Sequence, residues 1–272
     1  MPLPLLLGGC AALSHGFLNA AGPVADNQRH LFALVAVVLA FIAAPVLLLV
    51  PLIGWHYRRA NRHHAYRPKW TFSWGLEGLI WVPPLLLVVL LSVLLWRATV
   101  RDDPYRPLAD GRGAVARPLV VQAIALDWKW LFVYPDARIA AVDQLAIPVG
   151  RPVRLDLTSA TVMQSMLIPR LGGQIYAMPA MRTQLNLRAD HAGIYRGANV
   201  QYNGNGFARQ SFEVLALSPA EYAAWLARVR RGAQPLDAGA WAKLARRQVA
   251  PAPSFYVATP PGLFHRVMQD AR

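Results

Sequence analysis

The 272-residue chain has little cysteine and little charge, and each shortage excludes a class of protein. It has one cysteine, Cys10, which excludes an internal disulfide framework, an iron–sulfur cluster and a cysteine-rich zinc site within the chain. Charged residues make up only 15% and hydrophobic residues 55%, which is too apolar for an ordinary soluble domain. The formal net charge of +14 comes mainly from scattered arginines, without a long basic run, so it does not predict a nucleic-acid partner.

The position of Cys10 predicts a lipid anchor. It follows an apolar run and two glycines at residues 5–9, an order that resembles the bacterial lipobox, in which the cysteine becomes the lipidated first residue of the mature protein. We therefore predict a lipoprotein signal peptide at residues 1–9 and a periplasmic N-terminal segment at residues 10–29. The leader has no basic start and a short apolar run. A chance cysteine, or a start codon assigned too far downstream, stays as the alternative.

Two long uncharged runs predict membrane-spanning helices. Residues 31–55 contain no Asp, Glu, Lys or Arg, and a helix of that length is roughly 37 Å long, enough for a hydrocarbon core about 30 Å thick. Residues 70–96 contain a single charged residue, Glu77. We predict transmembrane helices at residues 30–56 and 72–97. Pro45 and Pro51 are tolerated in such helices, because neighbouring groups satisfy the freed carbonyls.

The loop between the two runs predicts their orientation. Residues 57–71 contain five Lys or Arg and no acidic residue, a bias that keeps short loops in the cytoplasm. Both chain ends then lie in the periplasm, in agreement with a lipidated N-terminus. His63 and His64 in this loop are interpreted as a solvated pair, since no third metal ligand lies near them in the sequence.

The remainder of the chain predicts a folded β domain after a linker at residues 98–117. In residues 118–217, short segments with alternating apolar residues are separated by Pro and Gly, a pattern typical of an all-β sandwich or barrel. The predicted strands are residues 118–126, 128–134, 144–148, 152–158, 163–168, 182–187 and 209–217. A capping box, Ser218 with Glu221, then opens a C-terminal helical extension and tail at residues 218–272. The proline-rich tail from Pro251 is expected to lie on a partner or on the domain surface.

Three segments carry a resemblance to a known family. They are residues 125–135 (ALDWKWLFVYP), 168–178 (IPRLGGQIYAM) and 202–207 (YNGNGF). With the predicted order of anchor, two spans and β domain, the chain resembles subunit II of the cytochrome bo-type ubiquinol oxidases from Cys10 to about Arg231. The resemblance implies a cupredoxin-like sandwich, a haem–copper subunit I as the main partner, and further subunits III and IV. It also implies that the complex oxidises ubiquinol, reduces oxygen to water and moves protons outward.

The resemblance also implies which positions of this chain match copper ligands in related proteins. In cytochrome c oxidase subunit II, two coppers are bound by cysteine, histidine, methionine and glutamate residues of one strand and one loop. The matching positions here are Gln164, Asn199, Gln201, Asn203, Phe207 and Gln210. Dinuclear copper requires thiolate and imidazole ligands, so we expect no metal and no other cofactor in this chain, and haem and copper only in subunit I.

The charge of residues 98–272 also favours ubiquinol as the electron donor. Residues 98–272 contain 21 Lys or Arg and 12 Asp or Glu, a net charge of +9. A basic surface repels a basic cytochrome c, because docking faces carry complementary potentials. We therefore expect electrons to arrive from membrane-dissolved ubiquinol, with no cytochrome c as donor.

Three further residues are candidates for a role. A carboxylate such as Glu77 costs up to ~2.5–3.5 kcal/mol at the bilayer centre, and the resemblance implies that it lies at the entrance of a proton-uptake channel; a passive interfacial acid is the alternative. Trp128 and Trp130 lie in the aromatic segment that leads electrons towards subunit I in copper-bearing relatives. Here we expect them to pack the domain onto subunit I.

The sequence thus predicts a non-catalytic subunit of a proton-pumping quinol oxidase in the bacterial inner membrane, in contact with membrane lipid. The competing hypothesis is a membrane-tethered periplasmic binding or assembly protein with a cupredoxin-like domain and no respiratory partner. Co-purification with a haem protein distinguishes the two.

Overall fold

The computed structural model describes residues 16–58, 60–61, 69–113 and 117–271. The chain divides into two compact units. One contains His30–Arg101, and the other joins the residues up to Arg29 with Asp102–Arg272.

The first unit consists largely of two apolar helices, α1 at Pro23–His56 and α2 at Trp74–Arg101, of which α1 begins within the second unit. Their best windows have mean hydropathies of 3.0 and 2.6, and both helices are long enough to cross a membrane. Helix α1 starts before the expected residue 30, and α2 continues past the expected residue 97. The apolar run marks only the part suited to hydrocarbon, whereas the backbone hydrogen bonds continue into polar residues such as Asp26 and Arg101.

The second unit is a sandwich of two sheets. The seven-stranded sheet has the order β11-β12-β3-β2-β1-β5-β8, and the five-stranded sheet has the order β4-β10-β9-β6-β7. The strands are β1 Leu119–Leu126, β2 Lys129–Tyr134, β3 Ile139–Val142, β4 Gln144–Pro148, β5 Val153–Ser159, β6 Gln164–Leu167, β7 Gln174–Ala177, β8 Thr183–Leu187, β9 Gly193–Asn199, β10 Ser211–Leu217, β11 Gln234–Pro235 and β12 Ser254–Val257. The predicted fold class, two membrane helices followed by an all-β sandwich and short C-terminal helices, is confirmed.

The main core fills the space between the sheets. Leu155 and Leu157 of β5 are fully buried there, whereas Arg154, which precedes them, is partly exposed. Aromatic rings join the two sheets, because Phe212 of β10 lies 5.0 Å from the ring of Phe132 and 6.0 Å from that of Trp130, measured between centroids. Full burial of such side chains contributes about 1.5–3 kcal/mol each.

A second core lies on the other face of β1 and β2. It is covered by C-terminal elements, of which α4 (Ala238–Leu244) contributes Leu244 and α5 (Leu263–Asp270) contributes Phe264 and Val267. The preceding helix, α3 (Pro219–Gly232), instead packs Trp225 and Val229 against the main core. Every residue of β2 is therefore buried. Burial on both faces explains why this segment is apolar without alternation.

Strands β3, β7, β9 and β12 were not among the predicted strands. Strand β9 contains two glycines, and Gly197 is required because a Cβ there would lie 2.2 Å from the ring of Phe212. Strand β12 and helix α5 lie in the segment expected to be a tail. Ser254–Val257 instead pairs antiparallel with β3 and extends the larger sheet.

The residues before α1 belong to the unit of the β domain. Ala21 and Ala25 are buried, the Ala21 N–H donates to the Arg170 carbonyl at 2.7 Å, and the Ala21 carbonyl accepts from the Asp190 N–H at 2.8 Å. A Cβ on Gly172, which has φ +81°, would lie 2.5 Å from the Ala25 nitrogen. The described N-terminal segment is thus packed into the sandwich.

Candidate functional site

The candidate site is a cluster of four buried carboxamides, which we call the amide cluster. Gln164 lies on β6, Asn199 ends β9, and Asn203 and Gln210 lie on the connection from β9 to β10. All four side chains are at least nine-tenths buried. These are four of the six positions that the resemblance predicts to correspond to copper ligands.

Gln210 is the centre of the cluster. Its Oε1 accepts from Asn203 Nδ2 at 2.7 Å and from Asn199 Nδ2 at 3.0 Å. Its Nε2 donates to Gln164 Oε1 and, at 3.4 Å, to the Leu126 carbonyl. The same carbonyl accepts from Gln164 Nε2 at 3.1 Å. Strand β6 and the loop after β9 are therefore joined by side-chain hydrogen bonds at the end of β1.

Asn199 also binds the backbone around it. Its Oδ1 accepts from the N–H groups of Ser165 at 2.9 Å and Gln201 at 3.0 Å, and its Nδ2 donates to the Gln201 carbonyl at 2.7 Å. Among the described residues, Asn203 Oδ1 is the one buried amide oxygen of the cluster without a partner. Buried polar groups are costly unless they are bonded, so this network stabilises a site that its apolar surroundings would otherwise disfavour.

The two remaining predicted positions lie on the same loop outside the amide cluster. The Gln201 side chain is half-buried, and the Phe207 ring packs against Tyr202 with 5.6 Å between centroids. Phe207 opens a single 3₁₀ turn, Phe207–Arg209. The structure therefore brings four of the six positions together and uses the other two to shape the loop.

The donor atoms of the amide cluster do not fit a dinuclear copper centre. Such a centre requires thiolates that bridge the metals, with imidazole and thioether ligands. The cluster instead presents neutral carboxamides, and the NH₂ groups of Gln164, Asn199, Asn203 and Gln210 each donate to a protein oxygen. Its chemistry is that of a hydrogen-bonded core.

Trp128 lies next to the amide cluster in the turn between β1 and β2. Its indole N–H donates to the Asn203 carbonyl at 3.2 Å, and its backbone has φ +65°, a conformation that bulky residues rarely adopt. A Cβ on Gly206 would lie 2.1 Å from the Trp128 ring, and the Arg247 guanidinium lies 5.1 Å from the ring centroid. Trp128 is half-buried, so part of its ring remains accessible.

Trp130 does not have the role expected from the sequence. It is 0% exposed and its ring lies in the core of the sandwich, so it cannot contact another subunit. Residues two apart on a strand share a face, but Trp128 lies in a left-handed turn and leaves that alternation. The expectation that Trp130 packs onto subunit I was wrong, and the same expectation for Trp128 stays a prediction.

Lys129, between these tryptophans, fastens the C-terminal part of the chain to β2. Its Nζ is buried and donates to the carbonyls of Arg246 at 2.8 Å and Gln248 at 2.9 Å. Burial lowers the pKa of Lys129, and the charges of Asp143 and Asp127 oppose that shift. Lys129 was not among the predicted site residues, although a lysine inside an apolar strand is unusual enough to indicate a buried contact.

Asp143, between β3 and β4, is the second unusual titratable group. Burial raises its pKa to about 7, against the opposing effects of a hydrogen bond from the Trp130 N–H and of the Lys129 charge. That N–H donates to Asp143 Oδ1 at 2.7 Å. Asp143 also has φ +53°.

Glu77 lies in the first turn of α2. Its Oε2 accepts from the indole N–H of Trp81, one turn further along the helix, at 3.1 Å. Its backbone N–H donates to the Ser73 carbonyl at 2.9 Å, which closes the first turn. A negative charge in a first turn also interacts favourably with the helix dipole. Cys10, His63 and His64 lie outside the described residues.

Several large apolar side chains are exposed around β6 and the loops near the amide cluster. We call this set the loop-end patch: Val162, Met163, Tyr176, Met181, Val200 and Tyr202. Tyr176 of β7 pairs with Ser165 of β6, and Val200 donates to the carbonyl of the same Ser165 at 2.9 Å. Exposed large apolar side chains on neighbouring segments are typical of an interaction site.

Comparison with known proteins gives one consistent family. The family model for the periplasmic domain of cytochrome c oxidase subunit II matches residues 136–211. Ubiquinol oxidase subunit 2 of Acetobacter aceti is 39% identical over 264 residues, which cover 97% of this chain and 84% of that protein. Cytochrome bo(3) ubiquinol oxidase subunit 2 of Pseudomonas aeruginosa is 34% identical, over 97% of this chain and 78% of that protein. Quinol oxidase subunit 2 of Bacillus subtilis is 36% identical, over 85% of this chain and 71% of that protein. Among solved structures, the periplasmic domain of subunit II of cytochrome oxidase of Bradyrhizobium japonicum matches with a TM-score of 0.41 and 22% identity, over 43% of this chain and 97% of that one.

Proposed function

Because the chain belongs to the quinol oxidase subunit 2 family, we propose that it is the second, non-catalytic subunit of a respiratory ubiquinol oxidase and has no redox centre of its own. The amide cluster is the observation that supports the lack of a redox centre in this chain. Carboxamides lie at positions that the resemblance predicts to match copper ligands, and they bond to one another. A sandwich without a metal cannot relay electrons, so in this proposal ubiquinol reduces the haem-bearing partner directly, and oxygen reduction and proton pumping take place in that partner.

Purification of the full complex in mild detergent tests this proposal. We expect the chain to co-purify with a haem–copper subunit, to oxidise ubiquinol with oxygen consumption, and to be inactive with reduced cytochrome c. The copper content of the complex should equal that of the partner subunit alone. A haem-free preparation, extra copper bound by this chain, or rapid turnover with cytochrome c would contradict it.

We propose that the loop-end patch and the accessible part of Trp128 form the surface that contacts subunit I. Support comes from the exposed apolar area around β6 and from the position of Trp128 beside the amide cluster. This surface replaces the contact with subunit I that was expected from Trp128 and Trp130 together, because Trp130 is buried in the core. Subunits III and IV are further proposed partners on the basis of the family resemblance.

We further propose that both chain ends lie in the periplasm and that Cys10 is lipidated. The basic loop and the packing of residues 16–29 within the unit of the β domain support the shared location of the two ends. Because Cys10 is the single cysteine, Cys10→Ser gives a cysteine-free background. On it, Ala208→Cys should react with an impermeant maleimide from the periplasm, and Ala60→Cys should react only after permeabilisation. Labelling with a radioactive fatty acid should be lost in Cys10→Ser.

Finally, we propose that Glu77 lies at the entrance of the proton-uptake path into subunit I. A carboxylate in the first turn of a membrane helix that has no other charged residue before Arg97 supports this role. Replacing Glu77 by Ala should slow ubiquinol oxidation and the accompanying proton uptake while haem content stays normal. Unchanged turnover would remove this role and leave a passive interfacial acid.

A further inference from the structure

Trp81 is hydrogen-bonded to Glu77, the one charged residue among residues 70–96. The two residues are four apart, so they lie on one face of the helix. The indole N–H donates to Glu77 Oε2 at 3.1 Å. Among the described residues this is the one side-chain bond recorded for the Glu77 carboxylate, so its other oxygen, Oε1, has no protein donor there.

The direction of this bond opposes the direction in which Glu77 would otherwise turn. In an α-helix the Cα–Cβ bonds tilt towards the N-terminus. A glutamate in the first turn of α2 therefore tends to extend towards the loop and its water, as charged side chains near the ends of membrane helices do. Trp81 lies one turn further into the apolar run, and the bond from its N–H restrains the carboxylate from turning freely towards the loop.

The indole N–H binds the ionised form of the acid more strongly than the protonated form, because a hydrogen bond to a charged acceptor is stronger than one to a neutral acceptor. An indole has one donor and no acceptor, so it can bind a carboxylate oxygen and cannot accept from a carboxyl O–H. With Oε2 occupied, Oε1 is the oxygen that remains open to a proton.

We propose that Trp81 is a positioning residue for Glu77. It fixes Oε2 on the membrane side of the first turn and leaves Oε1 free to receive a proton from the loop side. This inference rests on the proposed role of Glu77 in proton uptake.

The test uses the purified oxidase complex and four variants: Trp81→Phe, Trp74→Phe, Glu77→Gln and the double variant Trp81→Phe with Glu77→Gln. Trp81→Phe keeps an aromatic ring and removes the donor. Trp74, three residues before Glu77 on the same face, is the matched control, since its recorded contact is with the Phe72 ring. Quinol-driven turnover, proton uptake and the infrared carboxylate band that disappears in Glu77→Gln are measured, with haem content as the assembly check.

We expect Trp81→Phe to lower proton-coupled turnover about two- to tenfold, the factor that the loss of one hydrogen bond of ordinary strength gives. It should also shift the Glu77 infrared band, whereas Trp74→Phe should change neither. In the Glu77→Gln background, Trp81→Phe should have no further effect on turnover.

The possible failures are distinguishable. Unchanged turnover in Glu77→Gln would overturn the proton role of Glu77, and the positioning role with it. Reduced turnover in Glu77→Gln, together with a Trp81→Phe variant that behaves as Trp74→Phe does, would overturn only the positioning role. Additive losses in the double variant would do the same, because they would show that Trp81 acts independently of Glu77.

Discussion

Gln210 determines whether the other polar residues of the amide cluster are satisfied. It accepts from Asn199 and Asn203 and donates to Gln164, so Gln210→Ala leaves Asn203 Nδ2 and Gln164 Oε1 without these partners, while Asn199 Nδ2 keeps its bond to the Gln201 carbonyl. We expect a loss of about 2–4 kcal/mol in the free energy of unfolding, since each unbonded buried group costs about 1–3 kcal/mol and partial rearrangement recovers some of it. Thermal or denaturant unfolding of the purified chain in detergent measures this loss.

Gln201→Ala is the matched control for Gln210→Ala. Gln201 is half-buried on the same loop, and its side chain has no hydrogen bond to any residue that the structure describes, although its backbone binds Asn199. The change should cost less than about 0.5 kcal/mol. Equal losses in the two variants would mean that the loop is sensitive to any truncation and that the amide cluster has no special role.

Asp143 predicts a pH dependence of stability. Its pKa rises from 3.8 to about 7 on folding, so the protonated form is favoured in the folded chain. Its contribution is therefore complete below about pH 4 and is lost as the pH rises through about 7. Asp143→Asn keeps an oxygen acceptor for the Trp130 N–H and tolerates φ +53°.

We expect Asp143→Asn to flatten the stability profile between pH 4 and 8 and to raise stability at pH 8 by about 1–2 kcal/mol, a figure reduced for its partial exposure. Unfolding midpoints across this range provide the measurement. Asp136→Asn, in the exposed turn between β2 and β3, should retain the parental slope. A parallel decline in all three proteins would assign the pH dependence to other groups.

At the level of single residues, the sequence predicted the identities at the site but not their contacts. That Gln164 and Gln210 match copper-ligand positions is a prediction from the resemblance alone, and it stays a prediction. Their mutual hydrogen bond joins residues 46 positions apart, and that contact exists only once β6 lies against the loop before β10. The same limit explains Trp130, whose burial depends on the left-handed turn at Trp128.

Among the secondary-structure elements, the strength of the local pattern decided what could be predicted. The apolar runs of α1 and α2 and the capping box of α3 (Pro219–Gly232) are local, and all three helices are present. Strand β12 is short and follows a proline-rich segment, and it forms a strand because β3 offers an edge for pairing. Such an edge is a tertiary feature and leaves little trace in four residues.

The segment 246–248 is held to the sandwich by three consecutive residues of the β1–β2 region. Lys129 donates to the carbonyls of Arg246 and Gln248, while the guanidinium of Arg247 lies near Asp127 at 3.7 Å and over the ring of Trp128. Lys129→Met removes the donor and keeps much of the apolar length. We expect amide hydrogen exchange in residues 245–257 to become at least about tenfold faster, because local opening requires less free energy when these bonds are absent.

The core strands should stay protected in Lys129→Met, so that the change is confined to the C-terminal segment. Lys243→Met, on the exposed side of α4, removes a charge without touching these carbonyls and should leave exchange unchanged. Uniformly faster exchange throughout the sandwich would mean that Lys129 stabilises the whole domain and does not act as a local attachment.

For the whole molecule, the important surface is the loop-end patch, which we propose as the contact with subunit I. Tyr202 is 70% exposed within it, and Ile194, on β9 outside the patch, is 69% exposed. The pair separates the effect of position from the effect of adding a charge to an exposed apolar residue. A buried, unpaired charge at an interface costs several kcal/mol, whereas the same charge in water costs little.

We therefore expect Tyr202→Glu to reduce the amount of haem-bearing subunit recovered with this chain, and Ile194→Glu to leave it unchanged. Recovery is measured by tagging this chain and determining the haem content of the purified complex. Unfolding midpoints of both variants should stay within the range of ordinary surface substitutions, about 0.5 kcal/mol, because neither side chain is part of the core. Normal recovery with Tyr202→Glu, or an equal loss with Ile194→Glu, would place the partner elsewhere on the domain and leave the loop-end patch without an assigned role.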